Sequence, residues 1–278
     1  DDMAVMRSKY ETLAANPAFQ QLRRSAMTLA TWDDHDYGVN DGGADFLPKA
    51  EAQDEFLRFW QVPPDSPLRH REGVYDAHIF GPAGRRVQAI LLDTRYFRSP
   101  LKKGEPRVGG PYVPDDDPNK TMLGSKQWRW LEEQLRNPAE LRIIVSSIQF
   151  VAQAAGQETW SNLPVERTRM LDLIRATRAN GVVFVSGDRH WAELSKTDAG
   201  YPIYDLTSSS FNQKHARGTP TENRHRTTDR TYHQENYGLI SVDWEATDPV
   251  IEMRIIGLDG EIAIHSSIGL SDLQFAPP

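Results

Sequence analysis

The chain has 278 residues, a formal net charge of −7 at pH 7 and 38% hydrophobic residues. No apolar run reaches the roughly 18 residues that span a bilayer, and a negatively charged chain is a poor nonspecific binder of nucleic acid. The sequence has 0 cysteines, which excludes disulfides, zinc–thiolate sites and thiol nucleophiles. Any metal ion must therefore be held by oxygen and imidazole ligands.

Helices and short strands are predicted for the first part of the chain from apolar periodicity and from Pro and Gly positions. The predicted elements are helices over 1–15, 18–24 and 48–60, a buried strand over 25–30, and a hairpin of strands 75–80 and 87–92. Residues 100–120 are polar and rich in Gly, Pro and Asp, which predicts a long surface loop.

The second part of the chain alternates strand and helix before it becomes rich in strands. The predicted elements are helices 123–136 and 165–179 and strands 141–150, 182–186, 201–207, 237–244, 250–257 and 262–266. The strand–helix–strand order is typical of parallel pairing, so we expect an α/β fold with two packed sheets and outer helices. The polar excursion 214–234 is expected at the surface with His215, His225 and His233, although Asn212 and His225 could line a pocket.

The first motif whose residues could bind a metal ion or transfer protons is Trp32-Asp33-Asp34-His35-Asp36. Carboxylates and an imidazole crowded at one place repel one another and are costly to desolvate unless a cation lies among them. In an extended chain, Asp34 and Asp36 would share one side and Asp33 and His35 the other. The alternative interpretation is the acidic N-terminus of a helix.

A second motif, Gly187-Asp188-Arg189-His190, follows the strand predicted over 182–186. An extended strand end would let Asp188 and His190 chelate one ion while Arg189 points away. The alternative is a charged turn beside a core tryptophan. Two Asp/His clusters that each follow a strand predict one metal site at the carboxyl edge of a sheet.

Two arginines and a serine run complete the candidates. Arg95 and Arg98 follow a strand that ends at Asp93, and they form either a phosphate clamp or, for Arg95, a buried pair with Asp93. The serines 208–210 lie in a turn and lack the Gly-x-Ser-x-Gly elbow of a serine hydrolase.

Taken together, these motifs and three further segments resemble the PhoD-like branch of the calcineurin-type metallophosphoesterases. The further segments are Leu92 to Arg98, Gly124 to Trp128 with its helix, and Leu206 to Ser210. The resemblance implies a four-layer αββα sandwich of two mixed sheets. It also implies two metal ions, of calcium, iron, manganese or zinc, that act on a small phosphate ester.

The resemblance also implies roles for individual residues. Asp34, Asp188 and His190 are expected to be metal ligands, and Gln149 is a further candidate because many superfamily members have a histidine ligand there. His35 is expected to contact phosphoryl oxygens or to protonate the leaving group, with Asp36 orienting it. Apart from the resemblance, Arg189 lies inside the second motif, where it could contact the substrate or form a structural ion pair, and we take it as a substrate contact.

One part of the family pattern is missing from the sequence. A Gly-Asp-x-x-Tyr type segment, whose Asp bridges the metals, should precede the first helix. We therefore expect a single domain over 1–278 that either lacks its N-terminal strand or strands or is a variant with one weak metal site, and that in both cases binds metal with reduced affinity. Two functions follow: a metal-dependent phosphomonoesterase or phosphodiesterase, or a non-catalytic scaffold that binds an anion or a partner. The family and the lack of cysteine favour a periplasmic or secreted location.

Overall fold

Two β-sheets form the framework of the parts of the chain that the computed structural model describes, which are residues 3–105, 109–153, 156–215 and 221–276. The larger, mixed sheet has the strand order β1-β2-β3-β4-β6-β5. Its strands are β1 Asp76–Phe80, β2 Val87–Leu91, β3 Leu141–Ser146, β4 Val182–Ser186, β5 Ala192–Asp198 and β6 Pro202–Ser208. The four central strands are parallel, and β1 and β5 are antiparallel edge strands.

The smaller sheet has the order β7-β8-β9 and is antiparallel throughout. Its strands are β7 Asn236–Asp243, β8 Val250–Gly257 and β9 Ile262–Gly269. The predicted α/β sandwich of two sheets is confirmed, but the expectation that both sheets are mixed is wrong. Short connections join these late strands, and such connections produce antiparallel neighbours rather than parallel ones.

Six α-helices lie within the described residues: α1 Met3–Ala14, α2 Pro17–Ser25, α3 Asp34–Tyr37, α4 Lys49–Phe59, α5 Gly124–Arg136 and α6 Pro164–Thr177. The five helices predicted from the sequence match all of these except α3 to within a few residues. In α2, the side chain of Asn16 accepts a hydrogen bond from Ala18 N at 2.9 Å, and Pro17 occupies the first turn, where it loses no helical hydrogen bond. None of the described helices is long and apolar enough to cross a membrane.

Two strand assignments are corrected by the structure. The predicted strand over 25–30 is wrong, because α2 runs to Ser25 and the chain then continues without regular structure to Asp33. Met27 on this segment is 75% exposed, so its apolar character does not reflect burial. Strand β5 was not predicted because Glu193, Lys196 and Asp198 have low strand propensity. Its pairing with β6 overrides that local preference.

The two faces of the large sheet bury different partners. Ile144 and Phe184 are register partners on β3 and β4, and both are fully buried. The ring of Phe184 stacks on Phe150 with centroids 4.0 Å apart, and Arg167 of α6 lies over Phe150. The alternate residues Val145 and Val185 point to the opposite face and line a furrow with residues of β7. The large sheet therefore lies between a helical layer and the small sheet.

This arrangement decides where chemistry is possible. The parallel strands β3, β4 and β6 end side by side, since Ser146 pairs with Ser186 and Ser186 with Thr207. The turns that follow these strands consequently meet at one edge of the sheet. Polar groups in these turns are not used in hydrogen bonds between strands.

We expect Phe184→Ala to lower the free energy of unfolding by about 3–5 kcal/mol, because truncation leaves a cavity in a core that cannot collapse around it. Urea unfolding measures the change. Leu258→Ala is the control: Leu258 is 80% exposed, and its truncation should change stability by less than about 0.5 kcal/mol. Equal effects of the two substitutions would contradict the packing described here.

Candidate functional site

The first motif forms the short helix α3 rather than the extended segment expected from alternation. Asp33 precedes the helix and Asp36 is its third residue, and each side chain bonds the backbone amide of the other. The carboxylate of Asp36 accepts from Asp33 N at 2.7 Å. This reciprocal cap satisfies backbone amides at the start of the helix. The helical conformation of the segment is therefore more stable than an extended one. The segment is thus the acidic N-terminus of a helix, and the roles expected for its side chains stay predictions.

Asp34 is held in place by two backbone amides. One carboxylate oxygen accepts from His35 N at 2.7 Å and the other from Asp41 N at 2.9 Å. Asp41 has a positive φ of 51°, and its own carboxylate accepts from the Tyr112 hydroxyl at 2.8 Å. The orientation of Asp34 is therefore determined by the loop after α3.

The second motif is also not extended. Asp188 and His190 have positive φ values of 70° and 57°, in the left-handed region that residues with a Cβ rarely adopt. The expected two-residue alternation is thus wrong. The turn is fixed by hydrogen bonds, since His190 N donates to Ser209 Oγ at 3.1 Å and Arg189 N donates to Gly187 O at 2.9 Å.

The two motifs meet in one cleft of about 450 Å³ at the carboxyl edge of the large sheet. Asp34 and His35 line it from α3, and Asp188, Arg189 and His190 line it from the turn after β4. Further lining residues are Asp33, Asn40, Asp41, Ser208, Ser209, Phe211, Asn212, Gln213 and His215. The structure therefore brings together five of the seven site residues named from the sequence.

The remaining two lie elsewhere. Gln149 is fully buried, and its amide nitrogen donates to Glu193 Oε1 at 2.6 Å and Thr207 Oγ1 at 2.9 Å. Asp36 turns its carboxylate to the Asp33 amide, so any effect on His35 passes through the helix. Burial raises the pKa of Asp36 to about 7, with a further contribution from the charge of Asp33.

A buried charge network supports the cleft. The guanidinium of the fully buried Arg95 donates from Nε to Asp33 Oδ1 at 2.8 Å and from Nη1 to Glu158 Oε1 at 2.9 Å. Arg98 forms a second pair with Glu158 at 2.9 Å. Burial opposes the charge of Arg95, but the carboxylates of Asp33 and Glu158 raise its pKa well above the ordinary value.

This network corrects both sequence interpretations of the arginines. Arg95 and Arg98 do not line the cleft as a clamp, and Asp93 is not the side-chain partner of Arg95. The carboxylate of Asp93 instead accepts from Trp32 Nε1 at 2.9 Å and from the Val74 amide at 2.9 Å. The structural role expected for Arg95 holds, but with partners that are remote in sequence.

The charged groups of the second motif affect one another. Arg189 is paired with the carboxylate of Asp188. Burial raises the pKa of Asp188, and the charges of Asp33 and Glu158 add to this, while Arg189 opposes it. Burial and the neighbouring His215 lower the pKa of His190. A neutral imidazole, with one nitrogen lone pair available, is consequently favoured at His190 near neutral pH.

His215 is a site residue that sequence reasoning missed. It was expected at the surface, yet it lines the cleft and lies half-buried between His190 and Trp191, with ring centroids 6.0 Å and 5.3 Å away. Asn212 also lines the cleft, whereas His225 contacts Arg224 instead. The only available signal was the polar run directly after β6, because nothing local shows that it folds back over the cleft.

The metal ligands expected from the resemblance form only part of a centre. Carboxylate and imidazole donors suit hard and borderline cations, and Asp34, Asp188 and His190 share the cleft. However, in the described ranges no three His, Asp or Glu side chains converge closely enough to hold an ion. Both oxygens of Asp34 accept amides and Asp188 is paired with Arg189. The described residues therefore do not fit a complete metal centre.

The family model of PhoD-like phosphatases matches residues 2–244, so the chain, a sandwich of two sheets with an Asp/His cleft at its edge, belongs to the PhoD-like phosphatase family. The chain is similar to alkaline phosphatase D of Bacillus subtilis (strain 168), with 27% identity in a match of 241 residues that covers 75% of this chain and 37% of that protein. It therefore spans little more than a third of the length of this curated relative. It also has the fold of a solved structure of PhoD, with a TM-score of 0.60, 19% identity, and coverage of 86% of this chain and 51% of the other.

We expect Arg95→Met to lower the free energy of unfolding by about 3–5 kcal/mol, because it removes the pairing of Asp33 and leaves the buried Glu158 with Arg98 as its remaining cation. Guanidinium chloride unfolding measures the loss. Arg136→Met is the matched control, since Arg136 pairs with Glu132 on the surface and both side chains are about half exposed, at 58% and 47%. This control should cost less than about 1 kcal/mol.

A double variant tests the cause of the Arg95 effect. If unpaired charge is responsible, adding Glu158→Gln to Arg95→Met should cost at least about 0.5 kcal/mol less than the sum of the single changes. Strict additivity would argue that the arginine acts through packing alone.

Proposed function

We propose that this chain is a phosphoesterase that binds the phosphoryl group of a small phosphate ester in the cleft between α3 and the turn after β4. The observation that carries this proposal is the meeting of the two Asp/His motifs around Arg189 in one cleft. Membership of the PhoD-like phosphatase family supports it. Hydrolysis of monoesters and of diesters are both compatible with a cleft of this size.

Arg189 is the proposed phosphate-binding cation. Its guanidinium is paired with Asp188 and lines the cleft. A planar guanidinium matches the oxygens of a phosphoryl group, and although burial opposes its charge, nearby carboxylates raise its pKa.

His35 is the proposed proton donor to the leaving oxygen. It is exposed on α3, lines the same cleft as Arg189, and is held there by the cap that begins the helix. An imidazole is the usual side chain for proton transfer near neutral pH. Asp36 contributes by fixing the helix through its bond to the Asp33 amide.

Metal dependence is proposed from family membership and from the charge of the cleft. A phosphate anion beside Asp34 and Asp41 would be repelled unless further positive charge were present. Asp34, Asp188 and His190 are the candidate ligands for calcium, iron, manganese or zinc. Gln149 is not among the candidate ligands, because its side chain lies outside the cleft and bonds Glu193 and Thr207.

The second candidate function is binding of an anion without catalysis. The incomplete ligand set favours it, because no three suitable side chains converge within the described residues. Arg189 would then hold a phosphate or carboxylate that is not cleaved. Metal content and turnover distinguish the two functions.

His35→Ala should lower kcat/KM for ethyl phosphate roughly 100- to 10,000-fold, since a positioned proton donor contributes about that much when the leaving oxygen needs a proton. The loss should be smaller with p-nitrophenyl phosphate, whose leaving group departs as an anion, and steady-state assays of both substrates measure the difference. His265→Ala is the control, because His265 is half exposed on β9 and bonds Glu252. An unchanged rate in His35→Ala would remove His35 from the mechanism.

Removal of metal by a chelator should abolish hydrolysis, and readdition of one of the four candidate metals should restore it. Elemental analysis should show less metal bound to Asp188→Asn than to the wild type, and no change in Asp172→Asn, whose side chain is 64% exposed on α6. Full hydrolysis after chelation would refute the metal dependence. Anion binding without metal or turnover would favour the non-catalytic alternative.

A further inference from the structure

A second cavity lies directly beside the cleft, between α1 and α3. Its volume is about 830 Å³, compared with about 450 Å³ for the cleft itself. The α1 side of this cavity is largely apolar, with Met3, Met6, Tyr10 and Leu13, and Phe46 closes another side. We call it the α1 cavity.

The α1 cavity adjoins the cleft. His35 and Asn212 line both of them, so these two side chains form the boundary between the charged cleft and a space that is largely apolar, although Lys9 and Asp36 also line it. Arg189 lies on the charged side only. A ligand that places an anion at Arg189 and extends past His35 enters the α1 cavity.

The lip of the α1 cavity carries apolar side chains that solvent reaches. Val5 is 55% exposed and Leu13 is 40% exposed, and both line the cavity along α1 with Lys9 between them. Residues four apart lie on the same face of a helix, so these three side chains form one stripe. Apolar groups grouped at the mouth of a cavity are typical of a ligand-binding surface rather than of a solvated helix.

We propose that the α1 cavity binds the alcohol portion of the phosphate ester and selects esters of apolar alcohols. This inference rests on the proposed function, because it takes the phosphoryl group to lie at Arg189. If His35 donates a proton to the leaving oxygen, that oxygen lies at the boundary between the two spaces. The carbon atoms attached to it then extend along α1, where each buried methylene adds favourable transfer free energy.

The test uses a series of n-alkyl phosphates from ethyl to hexyl. For the wild type, kcat/KM should rise about two- to fourfold for each added methylene, as expected for a methylene that is partly or fully removed from water. Val5→Asp places a carboxylate on the cavity lip and should flatten this dependence. Because Asp near the start of a helix is favourable, this variant should fold.

The matched control is Leu22→Asp on α2. Leu22 is 46% exposed, close to the value for Val5, and does not line the α1 cavity. It should keep the wild-type dependence on chain length. An equal loss in both variants, or no dependence in the wild type, would overturn the proposal.

Binding of non-hydrolysable probes separates this proposal from the proposed function. Titration calorimetry should show that hexylphosphonate binds the wild type at least about tenfold more tightly than ethylphosphonate does, and that Val5→Asp removes the difference. This result in a chain that hydrolyses nothing would support the α1 cavity and refute the phosphoesterase assignment. Hydrolysis with equal binding of both phosphonates would support the assignment and overturn the cavity proposal.

Discussion

The buried guanidinium of Arg95 is the constraint on which the candidate site depends. It joins Asp33, at the start of α3, to Glu158, which lies far along the chain before α6. An isolated buried charge of either sign would be strongly unfavourable, and here Arg95, together with Arg98 on Glu158, balances the two carboxylates. The same contact neutralises a carboxylate next to the cleft. Arg95 therefore fixes the position of α3 and reduces the negative charge that a phosphate would meet.

The chemistry lies in the turns that follow the strands and not in the strands themselves. The parallel ladder brings the ends of β3, β4 and β6 to one edge. Beyond that edge, Asp188 and His190 adopt left-handed backbone conformations that only well-bonded surroundings maintain. The hydrogen bond from His190 N to Ser209 supplies part of this support. The turn after β6 thus contributes to the site by holding the turn after β4 in place.

The cleft has an uneven charge balance. The Asp33 carboxylate is paired with Arg95 and that of Asp188 with Arg189, whereas in the described chain Asp34 is held by two backbone amides. A phosphate would therefore meet one guanidinium and an excess of carboxylate. This imbalance is the physical reason to expect an added cation. The neighbouring α1 cavity, in contrast, is lined largely by apolar side chains, with Lys9 and Asp36 among them.

The sequence by itself determined most helices and strands, the α/β class, and the two motifs that meet in the cleft, because these depend on local periodicity and on residue chemistry. It did not reveal β5, whose strand state depends on pairing with β6. It also placed Asp33, Asp34 and Asp36 on an extended chain, although a reciprocal cap folds them into a helix. The partners of Arg95 and the place of His215 beside His190 were decided only by tertiary structure. Those contacts join segments remote in sequence, and no local pattern encodes which buried charge or ring a side chain will meet.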